Sequence, residues 1–327
     1  MKTNEKKDSL RGNLISKEFG DKFKNSKIYK NLYSKHLNEL IIGVRDGYIN
    51  LYYNCDSIAK ISATSESLEA EVNEYYAGRN TLSEDELISA YEQIKIQSDK
   101  HISKARGKAI DKSEKQAQER LFIDNNNNPD SKWYCIDVEY TKSLAQKDSP
   151  EAWRFDIIAI TKEAPFRVAL IELKYGSGAI SGTSGIRKHI KDYVTFHSEN
   201  SYNILKPEIV SIINGLKNVG VAVPETLGNI TIEDLAPVPE YYFITLNNNP
   251  KTPKASTPQM TMGGYLLGKG KWNSRKSSSK LNEEGDIYEM TKEVPNFKPV
   301  FMFSPARLPE IGITDILDSR FYTEGKY

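Results

Sequence analysis

Three residues in two short stretches have the types and spacing to do chemistry. In RVALIELKYGSG, from Arg167 to Gly178, Glu172 and Lys174 stand two apart inside an otherwise apolar run. Side chains alternate across a strand, so Val168, Leu170, Glu172 and Lys174 share one face, and Ala169, Ile171 and Leu173 the other. The first face is apolar at its start and charged at its end. Burying either charge alone is costly, so both need partners. WRFDIIAI places Asp156 16 residues before Glu172. A short turn around Ala164-Pro165 would fold the two runs into an antiparallel hairpin, with Asp156 near Glu172. Two close carboxylates raise each other's pKa unless a cation neutralises them. Hard oxygen ligands at a partly open site suit Mg²⁺ or Mn²⁺. A lysine beside them can orient or activate a metal-bound water, or stabilise charge building on a phosphate.

The surrounding elements must hold these residues in place. SEDE, from Ser83 to Glu86, fits a capping box that opens an amphipathic helix running toward about Ser103. A second helix covers roughly Lys108–Phe122, and NNNNPD (125–130) ends it with turn chemistry. Strands are expected at 133–140, 154–160 and 167–175, followed by the Gly/Ser loop GSGAISGTSG (176–185). Helices follow at 186–197 and at Pro207–Asn218, the latter with proline in its first turn. Late strands are expected at 240–248 and within 298–307. Upstream, ELIIGVRDGYINLYYNCDSIAKISA (39–63) reads as a β meander, with Asp46-Gly47 as a hairpin turn. The predicted class is α/β: a sheet flanked by helices over 106–327, preceded by a β-meander and helical region over 1–105.

Asp156 followed by Glu172-Leu173-Lys174 resembles the D-x(n)-E-x-K signature of the PD-(D/E)xK, or restriction-endonuclease-like, nuclease superfamily. The resemblance covers about Lys108 to Tyr193, a quarter of the chain. The usual proline before the first acid is replaced by Phe155. The resemblance implies a central mixed β-sheet flanked by helices and a metal-dependent phosphodiesterase. It implies Mg²⁺ or Mn²⁺ held by Asp156, Glu172 and the Leu173 carbonyl, with Lys174 positioning or deprotonating the attacking water. It also implies a carboxylate from the preceding helix. Glu114 is chosen because Glu114, Ala117, Gln118 and Leu121 share a core-facing stripe, with Glu119 on a more exposed side. On the first strand, Asp137 and Glu139 share one face, and Glu139 is the candidate second-metal or water-binding carboxylate. In the helix after the loop, Arg187, Lys188 and His189 are placed to hold phosphate. Arg154, on the face of Asp156, is the candidate phosphate clamp. The expected partner is nucleic acid, DNA ahead of RNA, in defence, restriction or repair. The alternative is a catalytically inactive module on the same fold that binds nucleic acid or protein.

The composition limits the other classes. The 327 residues carry 45 Lys+Arg against 44 Asp+Glu, so no global basic field announces nucleic acid, and any such partner needs a local patch. Cys55 and Cys135 are too few for a disulfide framework or a zinc site. The polar start MKTNEKKDSLRGN has no apolar core of a signal peptide, and no run approaches a membrane span. A soluble cytoplasmic protein is expected, and a protein partner or a second copy of the chain is left open. The bland reading of Asp156, Glu172 and Lys174 is an ion pair at a strand end. The loop 176–185 lacks the GK[ST] ending of an ATP site. The basic run 269–280 around Trp272 reads as a solvated loop.

Overall fold

The computed structural model describes residues 15–104, 113–143, 152–175, 186–247, 265–266, 294–297, 299–303 and 307–318. The Gly/Ser loop 176–185, the basic run 269–280 and the side chains of Arg187 and Lys188 lie outside the described residues. The chain divides into two compact units: Met1–Lys112 with Ile204–Ile232, and Ser113–Asn203 with Glu233–Tyr327. The second stretch of the first unit falls within the region that the sequence assigned to 106–327. No helix among the described residues is long and apolar enough to cross a membrane.

The first unit is built on an antiparallel five-stranded sheet of β1 (Ile41–Val44), β2 (Tyr48–Tyr53), β3 (Asp56–Ala63), β4 (Leu68–Glu71) and β5 (Thr81–Leu82), in chain order. Gly47, at φ 77°, supplies the left-handed turn between β1 and β2. Asn54 and Cys55, at φ 51° and 49°, make the tight turn into β3. Helix α1 (Lys17–Asn25) opens on Ser16, whose side chain accepts from Phe19 N, and it buries Phe19 and Phe23. The sequence assigned no element to that stretch. A four-residue helix, α2 (Glu74–Ala77), precedes β5. Helix α3 (Glu84–Lys104) begins where the capping box placed it, with Glu86 Oε2 accepting from Ser83 N at 2.8 Å.

The second unit carries helix α4 (Ser113–Asn127) and then β6 (Trp133–Ser143), β7 (Ala152–Thr161) and β8 (Val168–Tyr175). Helix α5 (Ile186–Ser198) follows, and α6 (Tyr202–Asn218) leads into the first unit. The chain returns with β9 (Glu240–Leu246), β10 (Tyr265–Leu266), β11 (Pro299–Phe303) and α7 (Ile313–Leu317). The sheet order is β10-β11-β9-β8-β7-β6. β6, β7 and β8 are antiparallel neighbours, whereas β8, β9 and β11 run parallel, so the sheet is mixed. Every residue of β8 up to Lys174 is buried, as a central strand requires.

Three local expectations change. Helix α6 starts at Tyr202, so Pro207 lies inside it and not in its first turn. Helix α4 continues to Asn127, through asparagines expected to end it. The cause is tertiary. β6 is an edge strand, and the Asn126 amide donates to Cys135 O at 2.9 Å and accepts from Cys135 N at 2.8 Å. Asn125 likewise donates to Trp133 O at 3.0 Å. Asn126→Ala should therefore lower stability by about 1–3 kcal/mol, because it strips both partners from the Cys135 backbone. An unchanged midpoint in urea unfolding would refute that role. Finally, β6 does not alternate: Cys135 through Val138 are all buried, and the pairing slips between Cys135 and Asp137. The bulge lies before Asp137, and of the two acids expected on one face Asp137 is buried while Glu139 is partly exposed.

Candidate functional site

The β7–β8 hairpin forms as its sequence demands, with Ile157 opposite Ile171 and Ile160 opposite Val168. The ladder stops at Ile157–Ile171, one pair short of Asp156 and Glu172. Beyond that point a side chain replaces the strand partner: Leu173 N donates to Asp156 Oδ2 at 2.7 Å. On its other side, the β6–β7 pairing runs from Val138–Ile157 to Tyr140–Phe155 and skips Glu139–Asp156. Glu139 there adopts φ 51°, a left-handed conformation unusual for a non-glycine residue and rarer still inside a strand. The freed Asp156 carbonyl accepts from the side-chain amide of Gln118 on α4. The sheet therefore parts at Asp156, and that opening is where the charged residues gather.

Lys174 sits at the centre. Its Nζ lies 2.8 Å from Glu172 Oε1 and 3.0 Å from Glu114 Oε1, and donates to the Leu173 carbonyl at 3.1 Å. Glu172 is 1% exposed and Lys174 6%. His189 approaches the same oxygen, with Nε2 3.3 Å from Glu172 Oε1 and Nδ1 3.9 Å from Asp192 Oδ2. Yet Glu172 Oε1 has no hydrogen-bond partner among the described residues. Lys174 Nζ and His189 Nε2 face that oxygen at ion-pair distance, so its charge is met by electrostatic contact.

The electrostatics follow from burial. Loss of hydration pushes the half-buried Asp156 carboxyl up to about 7; Lys174 opposes the rise, and Glu139 and Glu114 add to it. Burial also holds Glu172 well above the usual carboxylate range, with Asp156 adding its charge. Burial alone would lower Lys174, but Glu172, Asp156 and Glu114 together raise it, so it stays an ammonium. Carboxyls crowded around one ammonium raise one another's pKa, and a divalent cation would relieve that crowding by taking the place of protons.

The structure brings together Asp156, Glu172, Lys174, Glu114 and His189, and Glu139 lies close enough to act on Asp156. Arg154 is exposed, opposite Thr141, and joins no ion pair with the cluster among the described residues. Helix α4 departs from its expected faces: Glu114 is partly exposed, whereas Glu119, expected on the open side, is 5% exposed. α4 packs against β6, β8 and α7, so more than one of its flanks is covered. Two residues near the site were given no role by sequence reasoning. Gln118 is four after Glu114, and Tyr193 is four after His189, spacings that put each pair on one helix face. Tyr193 is 1% exposed, its hydroxyl has no hydrogen-bond partner among the described residues, and burial with the nearby Glu172 and Asp156 charges raises its pKa.

Among the described residues, no three His, Cys, Asp or Glu side chains form a group that could hold a metal ion. A cation here would rest on two side-chain carboxylates, Asp156 and Glu172, and on the Leu173 carbonyl. Those donors are hard oxygens, the type that suits Mg²⁺ or Mn²⁺. In comparisons with known proteins, no family model, no curated protein and no solved structure matches this chain.

Proposed function

We propose that this protein is a divalent-cation-dependent nuclease that hydrolyses phosphodiester bonds, in DNA ahead of RNA, on a restriction-endonuclease-like sheet. The observation that carries the reading is the meeting of Asp156, Glu172 and Lys174 where β7 and β8 part. Phosphodiester hydrolysis needs a placed water and neutralised phosphate charge more than covalent help from the protein. Asp156, Glu172 and the Leu173 carbonyl are the residues that would hold Mg²⁺ or Mn²⁺. The bound ion supplies Lewis acidity and lowers the pKa of water.

The protein's own groups do the rest. Lys174, at the centre of the cluster, positions or deprotonates the attacking water, or steadies a phosphate oxygen. Glu114 holds Lys174 in place through its 3.0 Å contact. Glu139 offers a further carboxylate beside Asp156. His189 reaches the cluster through Glu172 and is oriented by Asp192, and it remains the candidate contact for substrate phosphate, together with Lys188 and Arg154. A cytoplasmic role in defence, restriction or repair follows from fold analogy alone.

A second reading has its own observation. Lys174 already touches both Glu172 and Glu114, which suits a closed ion cluster in a module that binds nucleic acid or protein without cutting. Labelled single- and double-stranded DNA and RNA, incubated with Mg²⁺, Mn²⁺ or EDTA, separate the two. Cleavage that EDTA stops is expected. Intact substrates throughout, with no heat of metal binding in calorimetry, would favour the binding module.

A further inference from the structure

We propose that Gln118 is the positioning residue of this site, tying the Asp156 backbone to the helix that carries Glu114; the proposal rests on the nuclease reading above. Gln118 is 2% exposed, and its amide donates to the Asp156 carbonyl. One turn earlier on the same face of α4, Glu114 reaches Lys174. One helical stripe thus touches both strands of the site: β7 through Gln118 and β8 through Glu114.

The need for such a tie comes from the sheet. Asp156 has lost its ladder partner toward β8, where pairing ends at Ile157–Ile171, and toward β6, where Glu139 turns left-handed. Its carboxyl is engaged by Leu173 N. Its carbonyl is engaged by Gln118. Without the amide, the Asp156 carbonyl would lose the partner that replaces the ladder here, and the carboxyl that has to serve a cation would also carry the tie to Leu173 N. A ligand that must also anchor its own main chain is free to tilt, and cation geometry suffers before the fold does.

The test uses the full chain with Gln118→Met, which keeps length and removes the donor, and Gln118→Leu, which removes the donor with a shorter apolar side chain. Mg²⁺ and Mn²⁺ affinities are read by calorimetry, and kcat and KM for a DNA duplex are read in each metal. Both variants should lose about 10- to 100-fold in Mg²⁺ affinity and in kcat, with KM for DNA little changed. Mn²⁺ should restore a larger share of kcat than Mg²⁺, because Mg²⁺ demands near-ideal octahedral geometry. Circular dichroism and thermal unfolding in EDTA establish that each variant folds, and if one fails the other carries the comparison. Wild-type Mg²⁺ affinity and kcat in a folded variant overturn the proposal. So does an equal kcat loss in both metals at unchanged affinity, which marks a merely structural bond. If wild-type protein neither binds metal nor cuts, the nuclease reading falls and takes this proposal with it.

Discussion

Lys174→Met is expected to lose metal-dependent cleavage by about 10²–10³-fold, the usual effect of removing one preorganised charged donor, while the chain still folds. Methionine keeps the length of the stem and its packing in β8. The lost ammonium leaves Glu172, 1% exposed, without its nearest counter-charge. Breaking a buried ion pair from one side typically costs about 3–5 kcal/mol. Here the cost should depend on pH. The pKa of Glu172 is already well raised by burial, and without Lys174 it rises further. Toward low pH the carboxyl takes up a proton and no longer needs the counter-charge. At pH 8.5 the same carboxyl is either buried as an unpaired charge or protonated against the solvent. The stability difference between wild type and variant should therefore widen from pH 5.5 to 8.5 in urea unfolding. Wild-type cleavage by Lys174→Met would remove Lys174 from the chemistry, and a pH-independent difference would mean that Glu172 is not the group left stranded.

Asp156→Asn should separate function from stability. The Asp156 carboxyl is raised from 3.8 to about 7, first by loss of hydration. A raised carboxyl favours the folded state below its unfolded pKa, and that contribution is lost as pH rises through the folded value. Cation-free wild type should thus lose stability between about pH 4 and pH 7. Asparagine does not titrate, and its side-chain oxygen can still accept from Leu173 N. The cation-free variant should be more stable than wild type at pH 8, on the order of 1–2 kcal/mol after discounting for the partial exposure of Asp156. Cation affinity and cleavage should both be lost. In wild type, protons and the cation compete for one carboxyl, so Mg²⁺ should raise the melting temperature more at pH 8 than at pH 5. Scanning calorimetry with Mg²⁺ and with EDTA at both pH values checks the sign. A larger Mg²⁺ effect at pH 5 would show that Asp156 is not among the ligands.

Much of this site was legible in local pattern. An apolar run that alternates and ends in Glu172 and Lys174, preceded by a second such run with Asp156, is enough to predict two strands and their pairing. The Ser83–Glu86 cap and the Asp46-Gly47 turn are equally local, since each is a bond or a backbone angle within four residues. A helix carboxylate was implied by the family resemblance, spacing chose Glu114 over Glu119, and Glu114 does reach Lys174 although it is not the more buried of the two.

What only the tertiary structure decided involves groups far apart in sequence. Glu119 is buried because α4 is covered on more than one flank, which a single periodic stripe cannot announce. The asparagines at 125 and 126 extend a helix because an edge strand offers them unpaired backbone groups. Glu139 turns left-handed inside a strand, and no residue preference predicts that of a glutamate. The sequence by itself determined which charges would meet, because strand alternation and a short turn leave Asp156 and Glu172 few other places to go. The tertiary structure decided how they are held. Gln118 on Asp156 and Lys174 among its oxygens depend on where a helix crosses a parting sheet, and that is set by packing of the whole unit.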